Sequence, residues 1–327
     1  MKVGKVSEAV LKRSVLKQIH TNRPEVLLGA SVGEDCAALE LAEDEVFVMS
    51  TDPITGTAKD IGNLAIQITI NDLASAGAEP IGVMLTFLLP EKLSEAKLRA
   101  MMEQASAAAA AANVQIMGGH TEVTRVVNQP VISVVGVGKA KRGMVVSTAG
   151  AKPGMDILVT KWIGLEGTSI IAKEKEAELL TRYPKELVET AKQFDSYLSV
   201  LPESKVAVKS GVGAMHDVTE GGIFGALWEM AESSGVGLEI DLKKIPIRQE
   251  TVEVCEFFDV NPYELISSGS MLMACTDGYG LVRALETAGI PAVCIGKATE
   301  GNDRVIVSGE ERRFLEPPKV DELYKVV

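Results

Sequence analysis

The chain is 327 residues long, 46% hydrophobic and 24% charged, with a net charge of −12 and a sequence pI near 4.9. It is long enough to bury two cores, and its negative field opposes nucleic acid and anionic membranes, so neither is expected as a partner and a polyanionic ligand must arrive with cations. The four cysteines, Cys36, Cys255, Cys275 and Cys294, include no CxxC pair and no close histidine, which argues against a zinc site or a disulfide framework and for a reduced, cytoplasmic protein.

The N-terminal segment lacks the continuous apolar core of a signal peptide, and Leu11, Val15 and Ile19 recur at helical spacing. Val46 to Ser50 reads as a buried strand that stops at Thr51-Asp52. From Asp60 to Ala78 the period becomes helical, with Leu64, Ile68, Asp72 and Ala76 on one stripe, so Asp72 is expected to point where its apolar neighbours point. A strand over Ile81 to Leu89 follows, within the longest apolar run, which is too short to span a bilayer. Next come an alanine-rich helix (Ser94 to Ala112), a short strand (Val114 to Met117) ending in a Gly118-Gly119 turn, and a strand at Val131 to Val137.

Small residues, Pro and Gly break the pattern from Ser147 to Gly154, which places a domain boundary between 1–147 and 148–327. The second half reads as a strand (Ile157 to Lys161), helices between Glu166 and Phe194, the Asp217 cluster, a helix from Gly222 to Ser233, and alternating elements to about Val307.

Acids beside glycines recur at Gly33-Glu34-Asp35, Thr51-Asp52, Asn71-Asp72, Gly118-Gly119-His120-Thr121-Glu122 and Asp217 to Gly222. A lone charge at a strand end or on a core-facing stripe is costly unless a cation meets it, and carboxylates are hard oxygen ligands suited to Mg²⁺ on a phosphate chain. No GxxxxGK[ST], GxGxxG, HRD or DFG occurs. Charge compensation for a nucleotide therefore falls on metal ions held by Asp35, Asp52, Asp72 and Asp217. A single acid of this kind is more often a cap or turn residue, so the weight lies on the four together.

TDPITGTAKDIGNLAIQITINDLASAGAEPIG, MGGHTEVT, the linker STAGAKPGMDILVTKWIG and GVGAMHDVTEGGIFGALWEMAESSGVGLEI resemble, in order and spacing, the aminoimidazole ribonucleotide (AIR) synthetase superfamily, from about Val32 to Gly296. The resemblance implies a two-domain PurM-like fold, with an N-terminal α/β domain that pairs its strands across a homodimer, for which Ile81 to Leu89 is expected to offer an exposed edge strand, and a C-terminal α+β domain. It implies ATP and Mg²⁺ as cofactors and phosphorylation or activation of an oxygen of a small-molecule acceptor. On the matching motifs, Asp35, Asp52, Asp72 and Asp217 become metal ligands, with Asp72 bridging metals at the phosphates, and Gly33, Thr51, Asn71, Gly118, Gly119, Thr121 and Glu122 become cofactor-binding residues. His120 stands where most members carry an acid. Either Glu122 substitutes or His120 contacts phosphate or substrate, and Gly118-Gly119 permits the close approach this needs.

The texture is nearest the hydrogenase-maturation (HypE-like) branch, whose members end in a cysteine that carries the reacting group, whereas this chain ends Leu323-Tyr324-Lys325-Val326-Val327. Removal of the residues after Pro318 is therefore expected to leave nucleotide binding unchanged. The alternative reading is a nucleotide-binding accessory protein with little turnover that works beside a maturation-protein partner. His216 and His20 read as structural, and all four cysteines as small buried residues.

Overall fold

The computed structural model describes residues 4–31, 36–55, 59–317 and 319–327, and they form two compact units, Met1–Ala74 with Ala78–Val145 and Ser75–Gly77 with Val146–Val327.

In the first unit the strands are β1 (Gly4–Lys5), β2 (Val26–Leu28), β3 (Ala38–Leu39), β4 (Glu45–Ile54), β5 (Glu79–Pro90), β6 (Gln115–Thr124) and β7 (Val131–Lys141), and the helices are α1 (Glu8–Ser14), α2 (Ile61–Ser75) and α3 (Glu95–Ala111). Five strands make one sheet in the order β1-β6-β5-β7-β4, while β2 and β3 pair separately. The long helix α3 joins the parallel neighbours β5 and β6, as a parallel crossover requires. Ser94 caps it by accepting the Lys97 N–H, and Leu98, Met102 and Ala105 lie buried along one face because alanine allows close packing.

Four sequence expectations change here. The Ile81 to Leu89 segment lies in β5, which sits between β6 and β7 and is central rather than an edge; β4 is the long strand at the sheet's end. Thr51 and Asp52 lie inside β4, opposite Val135 and Val134, because the β7 ladder continues past Ser50. Gly118 to Glu122 extend β6 rather than form a turn, since β5 pairs with them in register. Helix α2 is buried nearly all round: Ile61, Ile66, Ile70 and Leu73 are 0% exposed, whereas Ile68 and Asp72 are half-buried. Asp72 thus lies off the deepest face.

In the second unit the strands are β8 (Asp156–Thr160), β9 (Ala214–Asp217), β10 (Gly237–Asp241), β11 (Met271–Cys275), β12 (Ala292–Thr299), β13 (Arg304–Ser308) and β14 (Glu311–Phe314). The helices are α4 (Leu165–Glu174), α5 (Glu176–Leu179), α6 (Lys185–Lys192), α7 (Leu201–Lys209), α8 (Gly222–Ser234), α9 (Gln249–Phe258) and α10 (Gly278–Thr287). The sheet order is β14-β13-β10-β12-β8-β11-β9, antiparallel except for β10 with β13. Ile157, Val159, Leu227, Met230, Leu272 and Ile295 are each 0% exposed and pack α8 against this sheet. Cys255 and Cys275 are buried, but Cys36 is exposed, contrary to the reading of all four as buried. Among the described residues no helix is long and apolar enough to cross a membrane.

Candidate functional site

Two contacts, one between strand and helix and one between strands, organise the motifs of the N-terminal unit. Asn71 is fully buried near the end of α2, and Asp72 beside it accepts the Ser50 hydroxyl from β4 at Oδ2. Because side chains alternate along a strand, Asp52 shares the Ser50 face of β4 and is half-buried there, whereas Thr51 points to the opposite face and is exposed. One strand face thus presents Ser50 and Asp52, with Asp72 tied to it.

The second contact lies on β6. Gly119 has φ +144°, and a Cβ there would lie 1.9 Å from the Leu85 carbonyl oxygen of β5, so this position excludes any side chain. His120 and Glu122 stand on one face, two residues apart, with Nε2 3.3 Å from Oε2. Thr121 points the other way and is 4% exposed. Beside Gly118 to Thr121 lies a cavity of about 80 Å³, walled by Leu11 of α1, by Leu16 after it, and by Leu85, Phe87 and Met102. Gly33 and Asp35 lie outside the described residues.

Asp217 belongs to the C-terminal unit. It ends β9, is 4% exposed, and leads into a turn closed by Gly221 (φ +82°) and by Gly222 (φ +61°), the first residue of α8. A Cβ on Gly222 would fall 2.6 Å from the Tyr263 carbonyl oxygen, so glycine is required twice over. The preceding His216 pairs with Glu229 at 2.8 Å, which fits a structural role.

Sequence reasoning passed over Glu166 and Asp321. Glu166, in the first turn of α4, is 3% exposed; burial pushes its carboxyl up to about 7, and the nearby Asp321 and Asp217 push the same way. Its Oε2 accepts no hydrogen bond among the described residues. The available signal was an acid flanked by glycines, Gly164-Leu165-Glu166-Gly167, directly after the β8 strand. Asp321 lies in the tail thought dispensable, yet it is 2% exposed, with Glu322 and Leu323 each 5% exposed beside it. The tail is docked, because its acids accept backbone N–H groups of the unit.

Among the described residues no group of three or more His, Cys, Asp or Glu side chains is arranged to hold a metal ion. That is compatible with Mg²⁺, which keeps several waters and takes one or two carboxylates plus substrate phosphates rather than an all-protein cage. The donor set at Asp52 and Asp72 is all oxygen, the right chemistry for a hard cation.

The N-terminal domain model of AIR synthase related proteins matches residues 33–140, and the C-terminal domain model matches residues 152–308. A carbamoyl dehydratase HypE of Cupriavidus necator is 31% identical over 77% of this chain and 72% of that protein. A Methanocaldococcus jannaschii protein named for hydrogenase expression and formation is 29% identical over 99% of this chain and 97% of its own length. Among solved structures, hydrogenase maturation protein HypE in complex with ATP superposes with a TM-score of 0.82 at 22% identity, covering 99% of this chain and 97% of that one. A thiamine-monophosphate kinase from Stenotrophomonas maltophilia gives a TM-score of 0.77 at 21% identity, covering 95% and 99%. These superpositions show the PurM-like fold. The chain belongs to the AIR synthase related family, and its similarity extends to hydrogenase maturation proteins.

Proposed function

We propose that the protein is a Mg²⁺-dependent, ATP-binding enzyme that phosphorylates or activates an oxygen of a small-molecule acceptor. The observation that carries this reading is the Ser50–Asp72 contact, which aims a helix-borne acid of the NDLA motif at the strand face that also carries Asp52. Two carboxylates on one side of a sheet suit a cation that also takes phosphate oxygens. The similarity to a HypE structure that contains ATP supports the same ligand.

In this reading Asp52 and Asp72 hold Mg²⁺, with Asp35 and, in the C-terminal unit, Asp217 as further metal ligands, and Mg²⁺ would supply charge neutralisation at the transferring phosphate. Gly119 lets backbone amides approach a phosphate, while Gly33, Asn71, Gly118 and Thr121 shape the nucleotide site and Thr51 faces the other side of β4. His120 and Glu122 act as one unit, with His120 Nε2 3.3 Å from Glu122 Oε2. The N-terminal domain serves nucleotide binding and dimerisation in the cytoplasm, and Phe47 and Met49, 51% and 63% exposed on one face of β4, are an apolar patch suited to a second copy.

The His120 position also favours a second reading, a nucleotide-binding accessory protein with little turnover that works with a maturation partner, since a weaker anion at this place holds metal less well. A solved complex of HypE with HypF shares the fold at a TM-score of 0.70. Titration calorimetry with MgATP, followed by an acceptor screen for ADP release, tests both. No heat of MgATP binding would defeat both readings, and binding without turnover on any acceptor would select the second.

A further inference from the structure

The C-terminal tail holds the turn that follows Asp217. The Asp321 carboxylate is 2% exposed and accepts three backbone N–H groups: Gly221 at 2.6 Å on Oδ2, and Ile266 at 3.2 Å and Leu323 at 2.8 Å on Oδ1. These amides come from three places, the glycine turn before α8, the loop before β11 and the tail itself. Glu322 adds a second anchor by accepting the Asn261 N–H at 2.9 Å. Hydrogen bonds to a buried carboxylate are about twice as strong as neutral ones, so a three-amide site fixes its partners firmly.

Gly221 and Gly222 lack side chains and both adopt left-handed φ. The turn therefore has many accessible conformations, and an outside acceptor on the Gly221 amide selects one. We infer that Asp321 is a positioning residue: the tail clamps the Gly221–Gly222 turn and so sets how Asp217 and the start of α8 meet a bound nucleotide. The inference rests on the reading that Asp217 serves the MgATP site. It reverses the expectation that the tail is dispensable and makes it a fixed part of the binding unit, in place of a mobile carrier arm.

The two oxygens divide the work in a way that one substitution can separate. In Asp321→Asn the amide oxygen can take the Oδ1 place and keep Ile266 and Leu323, which leaves the amide NH₂ facing the Gly221 N–H, donor against donor. The tail stays docked while the turn is released. Hydrogen exchange of the Gly221 amide is expected to accelerate about tenfold, with the Leu323 amide unchanged and MgATP affinity about tenfold weaker, the loss of one charge-assisted bond. Asp321→Ala, which removes all three acceptor contacts, is expected to release both amides. Unchanged Gly221 exchange in Asp321→Asn overturns the clamp. Faster Gly221 exchange with wild-type MgATP affinity, while Asp217→Asn binds weakly, overturns the positioning role. Wild-type affinity in Asp217→Asn together with faster Gly221 exchange in Asp321→Asn instead upholds the clamp and sinks the assignment of Asp217 to the nucleotide site.

Discussion

Ser50 of β4 donates its hydroxyl to the carboxylate of Asp72 on α2, and this contact joins a strand to a helix that sequence reading could only place separately. It orients the acid through a neutral donor, which leaves the carboxylate its charge.

Asp72→Asn is therefore expected to fold normally while MgATP affinity falls at least about tenfold, because one charged ligand becomes a neutral amide. Ser50→Ala should have a smaller effect, about 1 kcal/mol of stability, since it removes a hydrogen bond but not the charge. Calorimetry alongside thermal melts separates the two, and wild-type MgATP affinity in Asp72→Asn would remove the residue from the site.

Assembly gives a second expectation. Phe47 and Met49 project from β4, the strand at the end of the five-stranded sheet, where unpaired backbone groups also invite a partner. A homodimer is expected by light scattering at micromolar concentration, and Met49→Lys should shift it to monomer with little loss of fold, as a charge is costly only in a dry interface. A wild-type monomer would contradict this, as would a Met49→Lys dimer of undiminished strength.

The pH dependence of stability follows from Glu166, whose carboxyl is raised from an ordinary 4.5 to about 7. Below pH 4.5 both folded and unfolded states keep the proton, and the group contributes nothing to the slope. Between 4.5 and 7 the unfolded chain releases it while the folded chain holds it, so stability falls as pH rises, by up to about 3 kcal/mol, and the loss then stays constant. Glu166→Gln is neutral throughout, so urea midpoints measured in EDTA should show a flatter profile over this window and higher stability above pH 7. Parallel curves for the two proteins would refute the assignment.

The thiols provide a fourth check. Burial pushes Cys255 up to about 12 and Cys275 up to about 11, which leaves almost no thiolate at neutral pH. After incubation with ATP and a carbamoyl donor, intact-mass spectrometry should show no carbamoyl or cyano adduct on Cys36, Cys255, Cys275 or Cys294. A mass shift localised to any of them would establish it as a carrier cysteine.

Family, fold and most elements are legible in the chain alone, because motif order and hydrophobic period are local records of chain geometry. The alanine-rich stretch was legible as a helix, and α3 spans Glu95–Ala111 within the Ser94 to Ala112 reading. The acid-and-glycine motifs are legible because they interrupt apolar runs. Strand ends and sheet edges follow from long-range pairing: β4 continues through Asp52, and β6 through Glu122, because partner strands supply hydrogen bonds that no local pattern encodes. The same holds for the site. Glu166 is an ordinary acid in the sequence, and its raised carboxyl exists only because α4 buries it beside two other acids. Asp321 is remote in sequence from the Gly221 amide that it accepts. Such contacts close long loops at an entropic cost that only the packed core offsets, so they are properties of the fold rather than of any segment.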